Sequence, residues 1–163
     1  MSDISKSVVG SILSAILIAI SFSLWNDYIY KRDELSGFWH VTIETTKSSN
    51  GNYIGLKTYY NFVAGQNGSS LRGTGEKISE DSVNGIIEYD TDKRTHLNFD
   101  GALTYRVFSS NTVDMIYKEE GRRRPSSSIL NLVVESNDRL TGTFISTISK
   151  SSGKVVFTRA NKI

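Results

Sequence analysis

Two periodicities divide the chain. From Ser7 to Asn26 (SVVGSILSAILIAISFSLWN) twenty consecutive residues carry no charge, between Lys6 and Asp27. Twenty helical residues span about 30 Å, the thickness of a bilayer's hydrocarbon core. Trp25, Tyr28 and Tyr30 stand at the far end of the run, where amphipathic rings favour the membrane–water interface. A cleavable leader would need a small-residue site, and Ala19-Ile20-Ser21 offers one. The apolar run nevertheless continues through Phe22, Leu24 and Trp25 after a single basic residue, so the pattern predicts a retained transmembrane helix.

From Leu35 the period becomes two. In Phe38–Glu44, Trp39, Val41 and Ile43 share one face. Lys57–Ala64 is a second strand, rich in Tyr59, Tyr60 and Phe62, and Gly65, Asn67 and Gly68 turn it towards Ser70–Ser79. Gly73 and Gly75 inside that strand mark a bend or bulge. Further strands are predicted at Val83–Tyr89, Thr95–Phe99 with Ala102–Val107 (one strand if Asp100-Gly101 is only a bend), Asn111–Lys118, Ser128–Glu135, Arg139–Ser149 and Lys154–Arg159. This amounts to about eight to ten strands joined by short polar turns. The expected fold is all-β: an antiparallel up-and-down, lipocalin-like barrel of about eight strands behind one N-terminal transmembrane α-helix. A sandwich is the alternative. Residues 1–34 form the anchor and juxtamembrane linker, and 35–163 the barrel domain.

Composition narrows the chemistry. The absence of cysteine removes disulfides, thiolate metal sites and cysteine nucleophiles. His40 and His96 lack metal-ligand spacing. A net charge of +2 is too small for a general binder of DNA or RNA. No P-loop, nucleophile elbow or H-E-x-x-H motif occurs, so neither catalysis, a metal nor a cofactor is expected.

Binding chemistry is better supplied. A flat anionic ligand wants cations for phosphate and rings for stacking. Arg72 and Lys77 flank the double glycine, on opposite faces of a regular strand. Tyr59, Tyr105 and Tyr117 share the phase of Val63, Leu103 and Met115, so they are candidates to point inward. Arg106 lies on the other phase from Tyr105, while Arg159 follows Val155 and Phe157. Thr74 and Asn61 add hydrogen-bonding capacity. The competing reading makes the tyrosines barrel packing and the arginines surface charge. Arg122-Arg123-Arg124-Pro125 faces phosphate, anionic lipid or solvent.

Within the anchor, Ser7, Ser11, Ala15, Ala19 and Ser23 recur every four residues. Small residues let helix backbones approach closely in lipid, which predicts self-association. Lys31 and Arg32 after the run, against Lys6 alone before it, put the C-terminal domain in the cytoplasm.

An N-terminal anchor joined to a barrel that opens on Leu35-Ser36-Gly37-Phe38-Trp39, with Gly73-Thr74-Gly75-Glu76-Lys77 in a strand, resembles the transmembrane β-barrel effectors of bacterial cyclic-oligonucleotide antiphage defence (CBASS) and the related Panoptes-type systems. Members of that group have two membrane spans, and this sequence offers one. The resemblance implies a barrel that senses a cyclic oligonucleotide, most simply a dinucleotide. It also implies a homo-oligomerising anchor that disrupts the bacterial inner membrane. Two other classes stand beside this one: a membrane-tethered carrier of an apolar ligand, facing the periplasm, and a structural subunit with a filled barrel.

Overall fold

The computed structural model describes residues 3–25, 33–106, 108–121 and 125–160. Tyr28, Tyr30, Lys31, Arg32 and the Arg122–Arg124 cluster lie outside them, as does the side chain of Ser7. The chain divides into two compact units, Met1–Arg32 and Asp33–Ile163.

The first unit holds one helix, α1 (Asp3–Leu24). β-Branched isoleucines and valines cost helix propensity in water, but nothing polar competes for the backbone between Val8 and Leu24 apart from serines. Ser14 returns its hydroxyl to the Gly10 carbonyl at 3.0 Å, one turn back, which satisfies it without leaving the helix. Every described side chain from Val8 to Trp25 is exposed, Ile18 and Leu17 among the most. Among the described residues no helix is long and apolar enough to cross a membrane. The described side chains begin one residue inside the uncharged run, so the expected span over Ser7–Asn26 finds no support in them.

The second unit is a closed antiparallel barrel. Its strands are β1 (Gly37–Lys47), β2 (Lys57–Asn67), β3 (Ser70–Ser82), β4 (Gly85–Glu88), β5 (Thr95–Thr104), β6 (Thr112–Glu119), β7 (Ser126–Ser136), β8 (Arg139–Ser146) and β9 (Ser152–Arg159). Each barrel strand pairs with its sequence neighbours, and β1 pairs with β9 from Trp39↔Arg159 to Lys47↔Ser152 to close the ring. The barrel is therefore an eight-stranded meander, because β4 pairs only with the end of β3 and stands outside the ring. The strand expected over Val83–Tyr89 is thus a four-residue hairpin arm. Thr95–Thr104 is one continuous strand, and closure rules out the sandwich.

Alternation selects the core. Trp39, Val41 and Ile43 on β1, Tyr60 and Phe62 on β2, Leu97, Phe99 and Leu103 on β5, and Val113, Met115 and Tyr117 on β6 are all buried. Phe62 is the hub of the aromatic packing. It stacks on Phe99 at 5.1 Å between centroids and meets Tyr60, Tyr117 and Phe157 edge-on.

That packing explains the double glycine, which sits on the inner face of an unbroken strand. A Cβ on Gly73 would run into the Val63 carbonyl and the Phe99 ring, and one on Gly75 would lie 2.7 Å from the Phe62 ring. Glycine here makes room for aromatic rings to lie across the strand. The register shift expected of a bulge falls a little further along, between Tyr59 and Tyr60 of β2, opposite the stretch from Lys77 to Ser79.

Candidate functional site

The two ends of the barrel differ in chemistry. At the end where β1 begins, residues 33–36 fold over the opening and are clamped there. Leu35 plugs the mouth, buried, and its N–H donates to Gln66 Oε1 at 2.7 Å. The Gln66 amide donates to the Asp33 carbonyl at 3.1 Å and to the Tyr105 hydroxyl oxygen at 3.3 Å. Trp39 donates its indole N–H to the Leu35 carbonyl at 2.9 Å. Arg159 completes the clamp. Its guanidinium donates to the carbonyls of Glu34 (2.6 Å), Ser36 (2.7 Å) and Asn137 (2.8 Å) and lies 4.6 Å from the Trp39 ring centroid. Ser36, hydrogen-bonded to Glu34, holds that carboxyl below its ordinary range.

Inside, the barrel is filled. An apolar cavity of about 20 Å³ remains beneath Leu35, between Trp39, Phe62, Phe99, Met115 and Phe157. That is room for about one water molecule, with no polar partner to hold it. Neither a nucleotide nor a lipid fits.

The opposite end is polar, and it is the candidate site. Tyr60 and Tyr117 bring their hydroxyls inward and lie 6.2 Å apart between ring centroids. Tyr60 donates to Glu119 Oε2 at 3.3 Å. Lys77 enters from β3, 17% exposed, pairs with Glu80 at 2.6 Å and lies 5.4 Å from the Tyr89 ring centroid. Arg94 pairs with Glu76 at 2.8 Å nearby. Burial pushes the Tyr60 phenol well above its ordinary value and the Tyr117 phenol up to about 12, so both are hydrogen-bonding hydroxyls at neutral pH. Burial also raises the Glu119 carboxyl, against the pull of Lys77 and the Tyr60 hydroxyl. For Lys77 burial acts downward, but the hydrogen bond and charge of Glu80 outweigh it and the net shift is upward. The arrangement offers two neutral hydroxyls, one ammonium and carboxylates to a polar molecule capping the end.

The expected ligand residues do not converge. Tyr117 and Lys77 lie in the polar cluster. Tyr59 does not: with Val63 it occupies the outer face of β2, because Tyr60 and Phe62 take the inner phase. Arg72 is outside as well, its side chain 80% exposed and paired with Asp100 at 3.2 Å. Thr74 is exposed on the same outer face, and Asn61 pairs with His40 at 2.8 Å, also outside. Tyr105, half-buried, and Arg106, exposed, stand at the sealed end with Arg159, whose guanidinium donates to the backbone of residues 34, 36 and 137 and pairs with Asp138.

Sequence reasoning passed over Tyr60, Glu119 and Gln66. Tyr60 and Gln66 share the phase of Phe62, so correct phasing of β2 would have found them. The phase of Met115 and Tyr117 on β6 is as expected, and Glu119 escapes it because the expected strand stops at Lys118, one residue short of the observed end. Glu80 and Tyr89 depend on the hairpin arm and left no such signal. In α1 the small-residue ladder lies in helix as expected. Steps of four advance about 40° each on a straight helix, so the ladder winds partly round it.

Among the described residues no group of three or more His, Asp or Glu side chains is placed to hold a metal ion. No protein-family model and no curated protein matches the chain. Solved structures do. A redesigned β-barrel, mFAP1, bound to DFHBI is 12% identical, with a TM-score of 0.50 over 77% of this chain and 94% of its own. A second redesigned β-barrel, b11L5F_LGL, is 12% identical, with a TM-score of 0.51 over 78% of this chain and 92% of its own. At such identity the likeness is one of fold: a closed β-barrel.

Proposed function

We propose that this chain is a membrane-attached effector of the cyclic-oligonucleotide antiphage type, with α1 at the bacterial inner membrane and the barrel in the cytoplasm. The observation that carries the reading is α1 itself: a helix of 22 residues whose described side chains are all exposed and mostly apolar. Water does not sustain such a surface uncovered. Lipid, together with other copies of the helix, supplies what covers it. The chain's resemblance to the defence effectors supplies the rest.

The filled interior constrains how a nucleotide is sensed. A lipocalin-like mode, with the ligand inside, has no room here. Recognition therefore belongs to the polar end, where a cyclic nucleotide caps the barrel, its phosphates drawing Lys77 away from Glu80. Ligand binding then favours clustered barrels over dispersed ones, which requires tighter binding to the clustered state. The same filled interior favours a second reading, a structural subunit that binds no ligand, and it disfavours an apolar carrier.

Thermal unfolding of the full chain in detergent, with cyclic di- and trinucleotides in turn, tests the sensor. A ligand at 100-fold its dissociation constant adds about 2.7 kcal/mol, a rise in Tm of about 10 °C for a domain of this size. No shift with any of them makes this the structural subunit.

A further inference from the structure

We infer that the β5–β6 connection is a second membrane contact, in which Phe108 enters the lipid interface and seats the sealed end of the barrel on the bilayer. The inference rests on α1 being a membrane attachment. Phe108 is 96% exposed, the highest value among the large apolar side chains described. A ring so fully presented gains by entering the acyl boundary of a lipid interface.

Its position is fixed by the fold. The Arg106 N–H donates to Asn111 Oδ1 at 2.6 Å, which closes the loop across its base. Asn111 Nδ2 then donates to Asp33 Oδ2 at 2.8 Å, and Asp33 is the first residue of the barrel unit. The loop carrying Phe108 is thus tied to the point where the chain arrives from α1. From Trp25, at the end of the described helix, to Asp33 is eight residue steps, a reach of at most about 29 Å. A helix held in the bilayer keeps this end of the barrel within that distance. On the same end Phe38 and Val63, paired in register across β1 and β2, are exposed on the outer wall.

The chain has no cysteine, so single labels are clean. The full chain is reconstituted into vesicles of phosphatidylethanolamine and phosphatidylglycerol, with a nitroxide on Ser109→Cys, Ile16→Cys or Ile54→Cys in turn. Relaxation by oxygen and by a water-soluble nickel chelate reports depth. Ile54 lies in the β1–β2 connection at the opposite end. Labels at 16 and 109 should be shielded from the chelate and the label at 54 should not. Adding Phe108→Asp should return the label at 109 to the accessibility seen at 54. A shielded 16 with an open 109 overturns the loop contact and leaves the membrane attachment standing. An open 16 overturns both. Spin–spin broadening between labels at 109 puts a second copy's loop there in place of lipid and also overturns it.

Discussion

Arg159 offers the sharpest test of how this barrel is held together, because sequence and structure assign it different work. As a ligand residue it should be dispensable to the fold. As the clamp on residues 34–36 it should be among the costliest surface-accessible positions. Its guanidinium makes three hydrogen bonds to backbone carbonyls. With a charged donor and partial exposure, each contributes about 0.5–1 kcal/mol, below the full range for buried charged pairs. Stacking on Trp39 adds about 0.5 kcal/mol. The ion pair with Asp138 at 3.0 Å, whose carboxylate side is 76% exposed, adds little. Arg159→Met keeps the aliphatic stem over Trp39 and removes the rest. The expected loss is about 2–3 kcal/mol, a fall in Tm of about 8–12 °C. Arg159→Lys keeps the charge without the planar fork, so it should recover less than half. Hydrogen exchange of the Leu35 amide should rise in both. A Tm within about 2 °C of the parent for Arg159→Met, together with reduced nucleotide affinity, would refute the clamp and restore the ligand role.

Three other perturbations probe separate parts. Gly75→Ala must displace the Phe62 ring and the Asn61 carbonyl, and Gly73→Ala the Val63 carbonyl and the Phe99 ring, so denaturant unfolding should show losses of about 1–3 kcal/mol, larger at Gly73 where the carbonyl lies closer. Burial raises the Glu119 carboxyl above its ordinary 4.5, so the folded chain holds that proton more tightly than the unfolded one. Its contribution is complete below 4.5 and fades as pH rises through the raised folded value. Glu119→Gln should therefore flatten the decline of Tm with pH above 4.5, and an unchanged slope would remove Glu119 from the polar network. Under the proposed effector role, Ala15→Ile with Ala19→Ile should abolish toxicity in cells while leaving nucleotide affinity intact; killing by that variant would end the case for the small-residue ladder.

Much of the barrel could be read from the chain because alternation is a one-dimensional signal. Trp39, Val41 and Ile43 announced the inner face of β1, and turn residues separated nearly every strand. What failed was phase and partnership. On β2 both Tyr59-Asn61-Val63 and Tyr60-Phe62-Ala64 alternate acceptably, and only contact with Phe99 and Phe157 decides between them. Arg159 looked like a phosphate ligand because nothing in sequence says that Glu34, Ser36 and Asn137 will lie beneath its guanidinium. The same limit hid the filled interior. A count of eight strands permits a small cavity, and the size of the side chains pointing inward removes it.

Closure of the ring through β1 and β9 has a temporal side. Trp39 pairs with Arg159, so no ring exists until β9 has left the ribosome. Synthesis at roughly 5–20 residues per second makes the stretch from Leu24 to Arg159 in about 7–27 s. Throughout that interval α1 is already made, while the strands behind it have open edges. Under the membrane role proposed for it, the apolar helix has seconds in which to find a bilayer or a targeting factor before its barrel folds. During the same seconds the unpaired edge of β1 must avoid every partner but the one made last.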